Sequence, residues 1–112
     1  MKKIFSCILI LLSLSLLTAY ATFENPSITD GAGYLMQSEL DELTKDLDAV
    51  REKYDFEVAI YTESTMTSAT AEASADDIYD YNGYGAGEND DGIMLYICSG
   101  TREYHFTTHG KG

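Results

Sequence analysis

The chain has 112 residues, 7 of them basic and 19 acidic, for a net charge of −12. So acidic a surface repels nucleic-acid phosphates and anionic lipid and draws cations instead, which argues against any backbone-binding nucleic-acid protein. One proline, two cysteines and no repeat or low-complexity tract leave room for at most one core-dependent domain and exclude a disulfide-stapled scaffold.

Residues 1–21 read as a secretory signal peptide. Lys2 and Lys3 form a basic start, and residues 4–17 an apolar stretch interrupted by Ser6, Cys7, Ser13 and Ser15. Ala19-Tyr20-Ala21 then fits the small-x-small cleavage pattern, placing the cut before Thr22. The apolar run is short for a span of about 20 residues. Cys7 sits near its beginning, where it does not fit a lipoprotein. The expected location is extracytoplasmic, secreted or in the cell envelope, with membrane contact only through this leader or an anchor beyond Gly112. Cleavage leaves 5 basic and 19 acidic residues, a net −14, and Cys98 as the remaining thiol.

After an entry segment with Pro26, Asp30, Gly31 and Gly33, helical spacing appears. Leu35, Leu40, Leu43, Leu47, Val50 and Tyr54 form an apolar stripe with charges between them. Ser38-x-x-Asp41 offers a cap. Glu39, Asp41 and Glu42 near the start and Arg51 and Lys53 near the end suit the helix dipole. Asp41 with Lys45 and Asp48 with Arg51 are favourable pairs on a solvated face.

Residues 56–61 are rich in β-formers and read as a strand. Residues 68–81 form a second helix, capped by Thr67 or Ser68, whose Ala71, Ala75 and Ile78 lie on one face close to a sheet. A glycine-rich loop over 82–92 reads as a flexible turn. Residues 93–98, apolar on both faces, read as a covered central strand, parallel to residues 56–61 with a right-handed crossover. Residues 103–108 pair back as an antiparallel hairpin. The expected architecture is α/β, a small mixed sheet with helices packed on it, incomplete at the C-terminus with one or more covering helices to follow.

Three segments, in order, resemble the TPM domain family. Thr29-Asp30-Gly31-Ala32-Gly33-Tyr34-Leu35 resembles its opening Asp-x-Ala-Gly-x-Leu. Ala75-Asp76-Asp77-Ile78-Tyr79 with Gly83-Tyr84-Gly85-Ala86-Gly87 resembles its helix end and glycine-rich turn. Asp90-Asp91-Gly92-Ile93-Met94-Leu95, Arg102 and Thr107-Thr108-His109-Gly110 resemble its Asp-Gly strand, following arginine and Thr-Gly turn. The likeness spans nearly all of residues 22–112, and His109 departs from the family's usual glycine. The resemblance implies an exported or membrane-tethered α/β domain. Members include phosphatase-associated plant proteins, metal-binding bacterial modules and a receptor accessory, so the fold is implied more firmly than a reaction.

The chemistry-bearing cluster is acidic. Asp76, Asp77 and Asp80 end the second helix, and Glu88, Asp90 and Asp91 precede the central strand. Converging carboxylates repel one another unless a cation intervenes, and a hard ion such as Ca²⁺ or Mg²⁺ suits oxygen donors. Asp76, Asp77, Asp80, Asp90 and Asp91 are therefore the candidate metal ligands, against the plainer reading of hydrated surface acids. Asn82, Asn89 and glycine-loop carbonyls are available as neutral donors. The spacing is not that of an EF-hand.

A phosphate-ester hydrolase would need a metal-activated water and a cation for the phosphoryl oxygens. Asp91 with Asp90, and Arg102, are the candidates for those roles, Arg102 being equally an ordinary turn residue. Cys98-x3-Arg102 is too short for a cysteine-phosphatase loop, and Cys98 reads as a small core residue. His105 and His109 lack a third zinc donor. Two functions stand in competition. One is an exported module that binds a divalent cation and hydrolyses phosphate esters; the other is a non-catalytic envelope module that contacts envelope proteins.

Overall fold

The computed structural model describes residues 23–110. The signal-peptide reading of residues 1–21 and its cleavage point lie outside the described residues. Within them the order is β1 (Ile28–Asp30), α1 (Gln37–Tyr54), β2 (Glu57–Glu63), α2 (Ala71–Tyr81), β3 (Gly92–Cys98) and β4 (Glu103–His109). The four strands form one sheet in the order β1-β2-β3-β4. β1 and β3 each run parallel to β2, and β4 runs antiparallel to β3. The expected small mixed α/β sheet is the one observed.

β1 went unread in the sequence because three residues beside a turn carry no periodicity. Its end explains the turn. Asp30 accepts hydrogen bonds from the Thr62 hydroxyl at 2.5 Å and from the amides of Tyr34 and Leu35 at 3.1 and 2.8 Å. Those donors, Thr62 first, hold its carboxyl below the usual range. Gly31 is required here, since a Cβ would stand 2.8 Å from the Thr62 carbonyl.

α1 begins one residue before the expected Ser38 cap. The Glu39 carboxylate accepts from the Met36 amide at 3.0 Å, so the acidic first turn closes the helix end. At the other end Asp55 adopts a left-handed conformation and its amide reaches the Arg51 carbonyl. α1 lies against β2. Arg51 is a correction to its solvated face. It is 5 % exposed, and its Nη2 lies 2.6 Å from Glu57, itself 1 % exposed. The signal was positional, because Arg51 follows Leu47 by four residues and shares the apolar stripe.

α2 is capped by Thr70, whose hydroxyl accepts from the Ala73 amide at 3.0 Å, rather than by Thr67 or Ser68. It lies across β3 and β4. Its Ala71, Ala75, Ile78 and Tyr79 pack with Ala59, Met94, Tyr96, Cys98 and Tyr84 to form the core. On β3 the alternation is sharp: Met94, Tyr96 and Cys98 are buried, while Ile93, Leu95 and Ile97 on the second face are half-buried.

A carboxylate clasp at the end of α2

The glycine-rich loop is anchored. Tyr84 and Ala86 are buried, and Ala86 and Asp91 exchange two backbone hydrogen bonds at 3.0 and 2.9 Å. The Asp91 carbonyl also accepts from the Glu57 amide at 3.1 Å, tying the loop to the start of β2. Gly85, at φ 107°, passes so close to Asp90 that a Cβ would stand 2.6 Å from its backbone. The expected flexible turn is therefore fitted against the leading ends of β2 and β3.

Tyr79 stands at the centre of this end. Its hydroxyl donates to the Asp90 carbonyl at 2.9 Å. Burial drives its phenol far above the ordinary range, and the charges of Glu57, Asp90, Asp91 and Asp80 push it further. Of the five proposed ligands, Asp90 meets Tyr79 through its backbone carbonyl, and Asp80 approaches His109, with Nδ1 3.9 Å from its carboxylate. Asp91 also lies against Gly110, whose missing Cβ leaves space for the carboxylate.

The other flank of α2 faces β4. Thr107 donates to Asp76 at 2.5 Å, which spends its one hydroxyl proton. Its oxygen is then the acceptor for His109 Nε2, 3.1 Å away. His109 Nδ1 lies 3.9 Å from Asp80, and the imidazole stacks on Tyr79 with centroids 3.9 Å apart and planes 4° apart. His109 was read as a loop residue; it ends β4 and joins that strand to α2.

The remaining candidates are elsewhere. Asp77 accepts from the Ser68 hydroxyl at 2.5 Å, at the approach to α2, because consecutive helical residues diverge by about 100°. Among the described residues, no three His, Cys, Asp or Glu side chains assemble into a group that could hold a metal ion.

Arg102 is a correction of larger consequence. It follows β3 in the turn to β4, with φ 57°, while Asp91 precedes β3. Gly92 pairs with His109 and Cys98 with Glu103, so the whole strand separates the two. Seven extended residues put them roughly 20 Å or more apart. They do not share a reacting atom. Arg102 instead lines an apolar groove of about 410 Å³ with Tyr34, Leu95, Ile97, Tyr104 and Phe106. Cys98 is buried in the core, as expected of a small apolar residue.

The family model described as TPM domain matches residues 28–112, which takes in every strand and helix among the described residues and both ends of the clasp. The chain belongs to the TPM domain family. A search of curated proteins finds no match. Among solved structures, the solution NMR structure of the N-terminal domain of a P. gingivalis protein is similar, with 25% identity and a TM-score of 0.65. The likeness covers 76% of this chain and 54% of that one, so this TPM domain spans about half the length of its structural relative. Among the described residues, no helix of the TPM domain is long and apolar enough to cross a membrane.

Proposed function

We propose that this TPM domain is an exported binding module of the cell envelope, working by contact with other molecules and not by hydrolysing phosphate esters. The observation that carries this reading is the placement of Asp91 and Arg102 at opposite ends of β3. Phosphoryl transfer needs the activating carboxylate and the charge-stabilising cation on one phosphorus centre. The apolar groove at the Arg102 end adds a contact surface of the composition that binding sites use. The leader-like residues 1–21 support export.

Hydrolysis of a generic aryl phosphate, followed with Ca²⁺ or Mg²⁺ and again with chelator, tests the reading. No turnover above buffer is expected. Chelator-sensitive turnover that disappears in Asp91→Asn overturns it.

A second reading keeps the cation without the reaction. It is favoured by the Asp91 carboxylate lying against Gly110 and the Asp80 carboxylate lying 3.9 Å from His109, at the same end of the sheet. Binding of Ca²⁺ or Mg²⁺ there would need these carboxylates to draw closer around the ion, with the loop carbonyls as further donors. Isothermal titration measures it: heat that is absent in Asp91→Asn supports the site, and no heat with the unaltered protein removes it.

A further inference from the structure

The chain contains three asparagines, Asn25, Asn82 and Asn89, and asparagine is among the residues that age chemically. Its side-chain carbonyl carbon is open to attack by the backbone nitrogen of the next residue. Asn25 precedes Pro26, whose nitrogen has no proton to give up. Asn89 precedes Asp90, whose side chain crowds the approach and whose amide donates to the Gly87 carbonyl at 3.3 Å. Asn82 precedes Gly83, where no Cβ obstructs a five-membered ring.

The fold exposes Asn82 and restrains it at once. Asn82 is an exposed residue that caps the C-terminal end of α2. Among the described residues, no hydrogen bond holds its side-chain amide. Its main chain is held. The Asn82 amide donates to the Ile78 carbonyl at 3.2 Å, and the Asn82 carbonyl accepts from Asn25 Nδ2 at 2.7 Å. Beyond Gly83, at φ 76°, the Tyr84 amide donates to the Tyr79 carbonyl at 3.2 Å and closes the helix end. The Glu24 carboxylate lies against Gly83.

At ψ 5° the Gly83 nitrogen and the Asn82 Cβ are turned apart about the Cα–C bond. Ring closure needs them on one side. Rotation about that bond swings the Asn82 carbonyl away from Asn25 and draws Tyr84 off Tyr79. The reaction therefore waits for this corner to open.

We propose that Asn82 is a site of spontaneous modification, deamidating through Gly83 only while the corner formed by residues 24–25, the end of α2 and the glycine-rich loop stands open. The Gly83 nitrogen bonds to the Asn82 Cγ, the Cγ–Nδ2 bond breaks, and ammonia leaves with the Gly83 proton. Water then adds across either ring C–N bond and gives aspartate or isoaspartate at position 82. The exchange is water for ammonia, with no oxidant or reductant. Both products place a negative charge at the C-terminal end of α2, near Glu24, where the helix dipole opposes it. Isoaspartate also lengthens the main chain by one carbon, so the Tyr84 amide loses its fit to Tyr79 and the corner stays open. This modification is independent of the binding-module reading and stands whether or not the domain takes a cation or a partner.

Timed incubation of the purified protein at mildly alkaline pH, with peptide mapping by mass spectrometry, reads the site. Conversion is expected at Asn82, with Asn25 and Asn89 intact, at a rate at least about tenfold below that of the urea-unfolded chain. Asn25→Ala removes the donor to the Asn82 carbonyl and should raise the rate about threefold or more while circular dichroism stays unchanged. Urea below the unfolding transition gives the same reading in the unaltered protein, the rate climbing as the corner opens locally. An Asn82 that stays intact while the unfolded chain is consumed overturns the proposal. So do equal rates in the folded and unfolded chain, faster conversion at Asn89, or a folded-state rate indifferent to Asn25→Ala and to urea.

Discussion

His109 lies flat on Tyr79, the two rings 3.9 Å apart and 4° from parallel, at the point where β4 ends against α2. The contact joins the last residue of the hairpin to the helix that covers it. The same Tyr79 anchors the glycine-rich loop, its hydroxyl donating to the Asp90 carbonyl.

Replacing His109 by alanine is expected to cost about 1 kcal/mol for the ring pair, with a further loss from the released Thr107. Thr107→Val removes the donor to Asp76 and is expected to cost about 1 kcal/mol. The two changes share a network, so the double variant should lose less than their sum. Urea unfolding of the three variants measures this.

Glu57 supplies a pH dependence. Burial, working against Arg51, raises its carboxyl from 4.5 to about 7. The folded protein therefore holds a proton that the unfolded chain releases between those values. The Glu57 contribution is fully present below pH 4.5 and fades as pH climbs through 7, by about 3 kcal/mol in all. Glu57→Gln should flatten that part of the stability profile in denaturant melts from pH 4 to 8.

Gly85 and Gly87 separate close approach from conformation. Both have positive φ, but only Gly85 meets Asp90 backbone where a Cβ would be. Gly87→Ala is expected to cost about 1 kcal/mol from the left-handed backbone alone. Gly85→Ala should cost clearly more and expose Tyr84 to solvent, which thermal unfolding and tyrosine fluorescence would register.

Much of this architecture was legible in the residues. The Leu40–Leu47 spacing announced α1, and the double-sided apolar run announced β3, because long periodic signals survive tertiary context. Asp30, Tyr84 and Arg51 were not legible as structural residues. Each looks polar or loop-like locally and acquires its role from a partner on a neighbouring element: Thr62, Tyr79 and Glu57. Proximity in sequence could not show where the acids of α2 point: helical rotation sent Asp77 to Ser68 and Asp76 to Thr107. The distance from Asp91 to Arg102 followed from reading the residues between them as a strand, since an extended chain separates its own ends.

Asp77 should behave as a structural residue. Asp77→Asn is expected to lose about 1 kcal/mol of stability through Ser68 and to leave any Ca²⁺ heat unchanged, whereas Asp91→Asn alters the heat if an ion binds there. Paired calorimetric titration and melting distinguish the two.

The separation of Asp91 from Arg102 is what turns the account away from hydrolysis. Spin labels at Asp91→Cys and Arg102→Cys, in a Cys7→Ser, Cys98→Ala background, measure it by pulsed dipolar spectroscopy. A distance centred at roughly 20 Å or beyond is predicted from the length of β3. A population at contact distance would bring the carboxylate and the guanidinium back to one site and contradict the account.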